Sequence, residues 1–220
     1  MKKILILLCI AFACMTADAQ VALDSVNRDA QYVNTIVNRS KKIVDALNLQ
    51  GDTRINVLNI VCNRYFLLND IQDRCNKATA EAKANLQGEA KTAAIKNAEN
   101  ERDAELYKHH FEFPATLSNY ISDSQIVAIQ DGMTYNTVKV TYDAYLDMIP
   151  TLKPEEKVQI LAWLKEAREF AADAANSDAK HAWFGKYKGR INNWLSQRGY
   201  NLNAEREQWA KRIEAKKKQK

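Results

Sequence analysis

Glycine and proline are scarce in this chain, 6 and 3 residues in 220. A β-sandwich or barrel needs a turn about every ten residues, and these two residue types supply most of the unusual dihedrals. Their scarcity, with abundant Ala, Lys, Glu and Leu, excludes such folds and favours helices. Only 3 histidines are present. There is no His-Glu-x-x-His, phosphate loop, dinucleotide glycine pattern or Gly-x-Ser-x-Gly, and no paired Glu-x-x-His turn for a di-iron bundle. No metal site and no cofactor is expected. Long apolar runs are missing too: beyond the N-terminus nothing approaches the ~20 uncharged residues of a membrane span.

The N-terminus itself reads Lys2-Lys3, then the apolar run from Ile4 to Phe12, then Ala17-Asp18-Ala19 before Gln20. This is the three-part pattern of a secretory signal, so residues 1–19 are expected to be removed near Ala19-Gln20. The mature chain is then periplasmic, or on the cell surface or secreted. Neither Cys9 nor Cys14 has the flanking residues of a lipid-attachment site. Of the 4 cysteines, only Cys62 and Cys75 remain. Thirteen residues apart on one helix they lie ~20 Å from each other and on different faces, which excludes a mutual disulfide. Buried thiols or a bond to a second chain are left.

Charge of one sign is lacking over most of the chain. The formal +5 is concentrated in Lys211, Arg212, Lys216, Lys217, Lys218 and Lys220, against Glu214. Residues 205–220 therefore read as a basic helix or tail, and 20–204 as a single, nearly neutral helical domain. The tail is either a solvated helix end or a weak contact to an anionic surface. No nucleic-acid partner follows from it.

What is present is helical periodicity. Residues 25–48 form a first amphipathic segment, ended by Gln50-Gly51-Asp52. Two Ala-, Lys- and Glu-rich arms, about 53–86 and 89–112, read as a long antiparallel hairpin. Pro114 ends or kinks the second arm. Glu105, His109 and Glu112 share one face there, as a metal grip or, more simply, an ion-pair stripe. Ser122 with Gln125 makes a capping box. The β-leaning run 135–140 has no partner strand and is expected as extended loop, followed by a helix from Thr141 to Met148. Helices opened by Pro154 and by Ser177-Asp178, then a charged helix over about 203–217, complete an all-α bundle without a sheet.

The stretch 180–195, Lys-His-Ala-Trp-Phe-Gly-Lys-Tyr-Lys-Gly-Arg-Ile-Asn-Asn-Trp-Leu, is the most informative. At ~100° per residue, Trp183, Phe184, Tyr187, Ile191, Trp194 and Leu195 form a core arc. Gly185 and Gly189 each cost ~1 kcal/mol in mid-helix. Either another helix crosses closely over them, or they floor a groove walled by cations, amides and rings. The candidate binding residues on the groove reading are His181, Trp183, Lys186, Tyr187, Lys188, Arg190, Asn192 and Asn193. That chemistry suits a sugar or acidic glycan.

Four blocks, Asp131-Gly-Met-Thr-Tyr135, Val140-Thr-Tyr-x-Ala-Tyr-Leu146, Ala162-Trp-Leu-x-Glu-Ala-Arg-Glu169 and 180–193, together resemble an uncharacterised domain-of-unknown-function family of secreted Bacteroidetes-type proteins, over about residues 27–204. The resemblance implies an all-helical exported domain in a setting of polysaccharide-degradation genes, with no assigned activity. Ile121-Ser-Asp-Ser-Gln125 and Leu152-Lys-Pro-Glu-Glu156 are also similar to the Leu-Thr-x-x-Gln turns of periplasmic stress chaperones. The expectation is a non-catalytic binding or interaction protein whose partner is a glycan or an envelope protein. The alternatives are a chaperone-like helical cradle, or an enzyme such as a lyase using His181 and Tyr187.

Overall fold

The computed structural model describes residues 20–218; the expected leader, residues 1–19, lies outside the described residues. Helix α1 (Ala30–Val44) is capped by Asp29, whose carboxylate accepts the Tyr32 N–H at 2.8 Å. The 35-residue α2 (Gly51–Asn85) and α3 (Gly88–His110) form the hairpin. Gly88, at φ +55°, takes the left-handed turn between them without a Cβ penalty. Ala82 and Ala98 are buried in the hairpin, and Cys62 and Cys75 are buried free thiols.

Proline explains why α3 stops at His110. The Pro114 ring excludes a carbonyl four residues back in a continuous helix, and that carbonyl is His110's. Phe111 breaks the chain there, and α4 (Glu112–Leu117) starts anew. Helix α5 (Asp123–Met133) opens at Ser122, whose N–H donates to Gln125 Oε1 at 3.0 Å. Helices α6 (Thr137–Met148), α7 (Pro154–Ala172), α8 (Ser177–Gln197) and α9 (Leu202–Lys218) follow. No strand occurs among the described residues.

One expected loop is helix. Residues 137–140 belong to α6, because Tyr135 and Asn136 both turn left-handed (φ +59° and +55°) and deliver Val138 into the interior. Burial outweighs the β preference of Thr137, Val138 and Val140. The basic C-terminal helix is also docked: Trp209 Nε1 donates to Asp147 Oδ2 at 2.7 Å, and Arg212 donates to the carbonyls of Asp147 and Met148.

Residues 20–25 lie along α2 as a strap, and 26–28 turn the chain into α1. Asn56, Asn59 and Asn63, one helical turn apart, exchange hydrogen bonds with the backbone of Val21, Ala22 and Asp24 at 2.8–2.9 Å. Arg28 forks onto Asp70 at 2.7 and 2.8 Å and lies over the Phe66 ring.

Two apolar cores result. The first joins Ile36, Val61, Phe66, Leu117 and Ile129 from α1, α2, α4 and α5. The second joins Val138, Ile160, Leu164, Phe184 and Ile191 from α6, α7 and α8. Between them runs a polar seam. Arg168 of α7, almost fully buried, bridges Asp131 of α5 at 3.1 Å and its neighbour Glu169 at 2.9 Å.

The close helix crossing considered for Gly185 and Gly189 is absent. A Cβ built on either would meet nothing within 4 Å, so both glycines lie on an open face of α8. Tight packing is found instead at Gly132, where a Cβ would come 2.8 Å from Ile43 Cγ2 and α5 lies against α1.

Candidate binding cleft at the seam

The seam opens to solvent where the C-terminal end of α3 meets α7 and α8. The opening is a cleft of about 560 Å³, within the size range of small-molecule sites. Its walls are aromatic: Tyr107 and Phe111 from α3 and its end, Phe170 from α7 and Trp183 from α8. Phe111 is 63% and Tyr107 73% exposed. Such exposure of large apolar rings at one concave place marks a contact surface rather than a core. Phe170 and Trp183 stack with centroids 4.5 Å apart.

Polar groups converge on the same opening. His110 Nδ1 donates to Asp173 Oδ2 at 2.7 Å, and Asp173 Oδ1 accepts from Arg64 Nη2 at 2.5 Å. Arg64, 3% exposed at its side chain, also donates to the carbonyl of His109 at 2.9 Å. One buried arginine of α2 thus fastens the end of α3 to the end of α7. The carboxylate hydrogen bond from Asp173 holds the His110 imidazole above its ordinary value, against an opposing effect of burial. Glu169 lies 4.0 Å from His110 Nε2 and is fixed by Gln130 Nε2 at 2.9 Å and by Arg168. Arg102, paired with Asp103 at 2.8 Å, completes the rim. Fixed donors and acceptors beside aromatic faces can hydrogen-bond hydroxyls while a ring takes the apolar face of the ligand.

Of the eight residues proposed from sequence, Trp183 alone lines this cleft. Lys186 covers the Trp183 ring at 4.8 Å. Tyr187 is buried against Glu166, and burial followed by that hydrogen bond pushes its phenol up to about 12. Arg190 lies over Trp163 at 4.6 Å and pairs with Glu166 at 3.6 Å. Asn192 Oδ1 accepts the Tyr145 hydroxyl at 2.8 Å, which ties α8 to α6. The carbonyl of Lys188 accepts more weakly from the same hydroxyl, at 3.4 Å. His181 is exposed and stacks on Tyr135 at 5.5 Å, and Asn193 is exposed. His181 and Tyr187, six residues apart on α8, lie about 120° apart around the axis and ~9 Å along it, one exposed and the other buried, so they form no acid–base pair.

Lys180, from the same block, is buried and donates to the carbonyls of Ala171 and Ala172 at 3.2 and 3.4 Å. It thereby caps α7, and burial pushes its ammonium down to about 8. His109 bridges Glu105 and Glu112 at 3.7 and 2.5 Å, forming the ion-pair stripe. Glu156 Oε2 accepts the Lys153 N–H at 2.9 Å and the Tyr200 hydroxyl at 2.6 Å, so the second chaperone-like turn is a helix cap. His110, Arg64 and the pair Glu169 and Asp173 were missed by sequence reasoning because they come from three different helices, α3, α2 and α7 with its C-cap. The signal available was the cluster Tyr107, His110, Phe111, an exposed aromatic-histidine group beside a proline break.

No helix among the described residues is long and apolar enough to cross a membrane. The molecule is thus an all-helical protein with an aromatic-walled cleft at the junction of two cores. It belongs to a family of proteins of unknown function, DUF3826, whose model matches residues 33–215. No curated protein matches the chain.

Proposed function

We propose that this is an exported binding protein that holds a carbohydrate in the α3–α7–α8 cleft. The observation that carries the reading is the cleft itself, where Tyr107, Phe111, Phe170 and Trp183 surround His110, Asp173 and Glu169, side chains already fixed by hydrogen bonds. Groups held in place before binding lose little entropy when the ligand arrives. The charges in the seam are paired with one another, Arg64 with Asp173 and Arg168 with Glu169 and Asp131, and the acceptor positions left on these carboxylates suit a ligand unit rich in hydroxyls. The N-terminal signal pattern and the family resemblance to secreted proteins support the export.

Calorimetric titration of the mature protein with a panel of neutral and acidic oligosaccharides tests the proposal. Binding to at least one, abolished by Phe170→Ala, is expected. Heat from none of them overturns the carbohydrate reading.

A second reading, an acid–base enzyme, is favoured by His110 and Asp173. A histidine oriented by one carboxylate and lining a cleft, with a second carboxylate, Glu169, 4.0 Å from its other nitrogen, is an arrangement a proton-transfer catalyst can use. Turnover of a bound oligosaccharide, lost in both His110→Gln and Asp173→Asn, would support it, and binding without turnover would exclude it for that ligand.

A further inference from the structure

The rings and cations of the α7–α8 face do not end at the cleft. Phe170, already stacked on Trp183 at the cleft wall, lies 6.4 Å from Tyr187. Arg190 covers both Tyr187 and Trp163, at 5.9 and 4.6 Å. Trp163 meets Trp194 edge to face at 5.1 Å, and Arg198 lies over Trp194 at 4.4 Å. From Trp183 to Arg198 the stripe runs ~22 Å along α8. Three cations, Lys186, Arg190 and Arg198, are each held above an indole, while their outward N–H groups stay exposed. Opposing them are two carboxylates. Glu166 is exposed and pairs with Arg190 at 3.6 Å, and the buried Glu156, whose Oε2 accepts from Lys153 N–H and Tyr200, pairs through Oε1 with Arg198 at 3.7 Å. The surface therefore presents three cations along α8 from the cleft to its C-terminal end, Lys186 without a carboxylate partner among the described residues and Arg190 and Arg198 each shared with one.

We infer that this stripe is an extended subsite for the carboxylate or sulfate groups of an acidic polysaccharide chain, with one sugar of that chain seated in the cleft. A guanidinium stacked on a ring is already oriented, and its free edge matches a carboxylate. Spacing by one and two helical turns along α8 suits a ligand with repeated charges better than a single small anion. The inference rests on the carbohydrate reading of the cleft, and it specifies the ligand's charge and length.

The test titrates the mature protein with polygalacturonate oligomers of increasing length, a sulfated galactan, and neutral galacto-oligosaccharides of matching length. Affinity for the acidic chains is expected to rise with length and to fall with salt. The Lys186→Glu, Arg190→Gln, Arg198→Gln variant should weaken the long acidic oligomers about tenfold, and the Arg190→Gln, Arg198→Gln variant, which keeps Lys186 over the cleft-wall Trp183, should leave the shortest bound unit unaffected. Lys186→Glu alone, at an exposed side chain over the Trp183 ring, should give part of that loss without a change in fold. Equal affinity for neutral and acidic chains, or an unaffected triple variant, overturns the subsite. So does failure of both acidic polymers to bind. Loss of short-unit binding in Phe170→Ala while acidic chains still bind in a salt-dependent way would separate failure of the cleft from failure of the stripe.

Discussion

The seam and the open side of α8 are built from the same residue types but hold them differently. In the seam, Arg64, His110, Glu169 and Asp173 come from three helices and hold one another at 2.5–4.0 Å, with only Arg64 Nε left without a partner among them. On the open side of α8, His181, Lys188 and Asn193 come from a single helix, exposed, and His181 is held only by a stacked ring. Preorganisation comes from long-range fastening, and a motif contiguous in sequence lacks it unless another element buttresses it. Arg190 and Lys186 are the middle case, because rings of α7 and α8 beneath them supply the support.

The sharpest break of this contrast is made at Asp173. Asp173→Asn leaves Arg64 buried without its charge partner and should lower the unfolding free energy by about 3 kcal/mol, read as a fall in the urea midpoint at unchanged slope. His181→Ala, on the other side, should change stability by less than about 0.5 kcal/mol. Equal effects would remove the distinction between the two regions.

Glycines give the next contrast. Gly132→Ala forces a methyl against the branched Ile43 side chain and should cost about 1–2 kcal/mol, even after the gain in helix propensity. Gly185→Ala and Gly189→Ala meet open space and should each stabilise by up to ~1 kcal/mol. Thermal midpoints of the three variants check both signs together.

A smaller effect reads His110 and Lys180 by pH. His110 is raised by Asp173, so the stability it contributes is fully present below its ordinary value, near 6.5, and is lost as pH rises through its folded value. The difference in midpoint between the parent and His110→Gln should therefore shrink as pH rises above that point. Lys180 acts higher and with the opposite sign. Its folded value is depressed to about 8 from 10.5, so between the two the unfolded chain binds more protons and stability climbs with pH. Lys180→Met should abolish that alkaline rise.

The helical class and the hairpin were legible because composition, Pro114 and Gly88 act locally. Residues 137–140 were not, since the decision rests on Val138 being buried by distant helices. Within 180–195 the sequence marked Phe184, Ile191 and Leu195 as core, and each is buried. The cost of two glycines suggested a crossing helix, but periodicity says where a face points and nothing of what lies opposite it. The cleft escaped for a related reason. Asp173 and His110 are 63 residues apart, and only the fold makes them neighbours.

Fluorescence of Trp183 is the most direct measurement of where ligand binds. A parent carrying Trp163, Trp194 and Trp209 as Phe leaves Trp183 the only indole among the described residues, and an oligosaccharide found to bind is titrated into it. If the cleft is the site, emission changes with saturation, and the change is lost in Phe170→Ala but kept in His181→Ala and Asn193→Ala. Saturable binding that leaves Trp183 emission unaltered, and that disappears in His181→Ala or Asn193→Ala, would place the ligand on the open side of α8 and contradict the account.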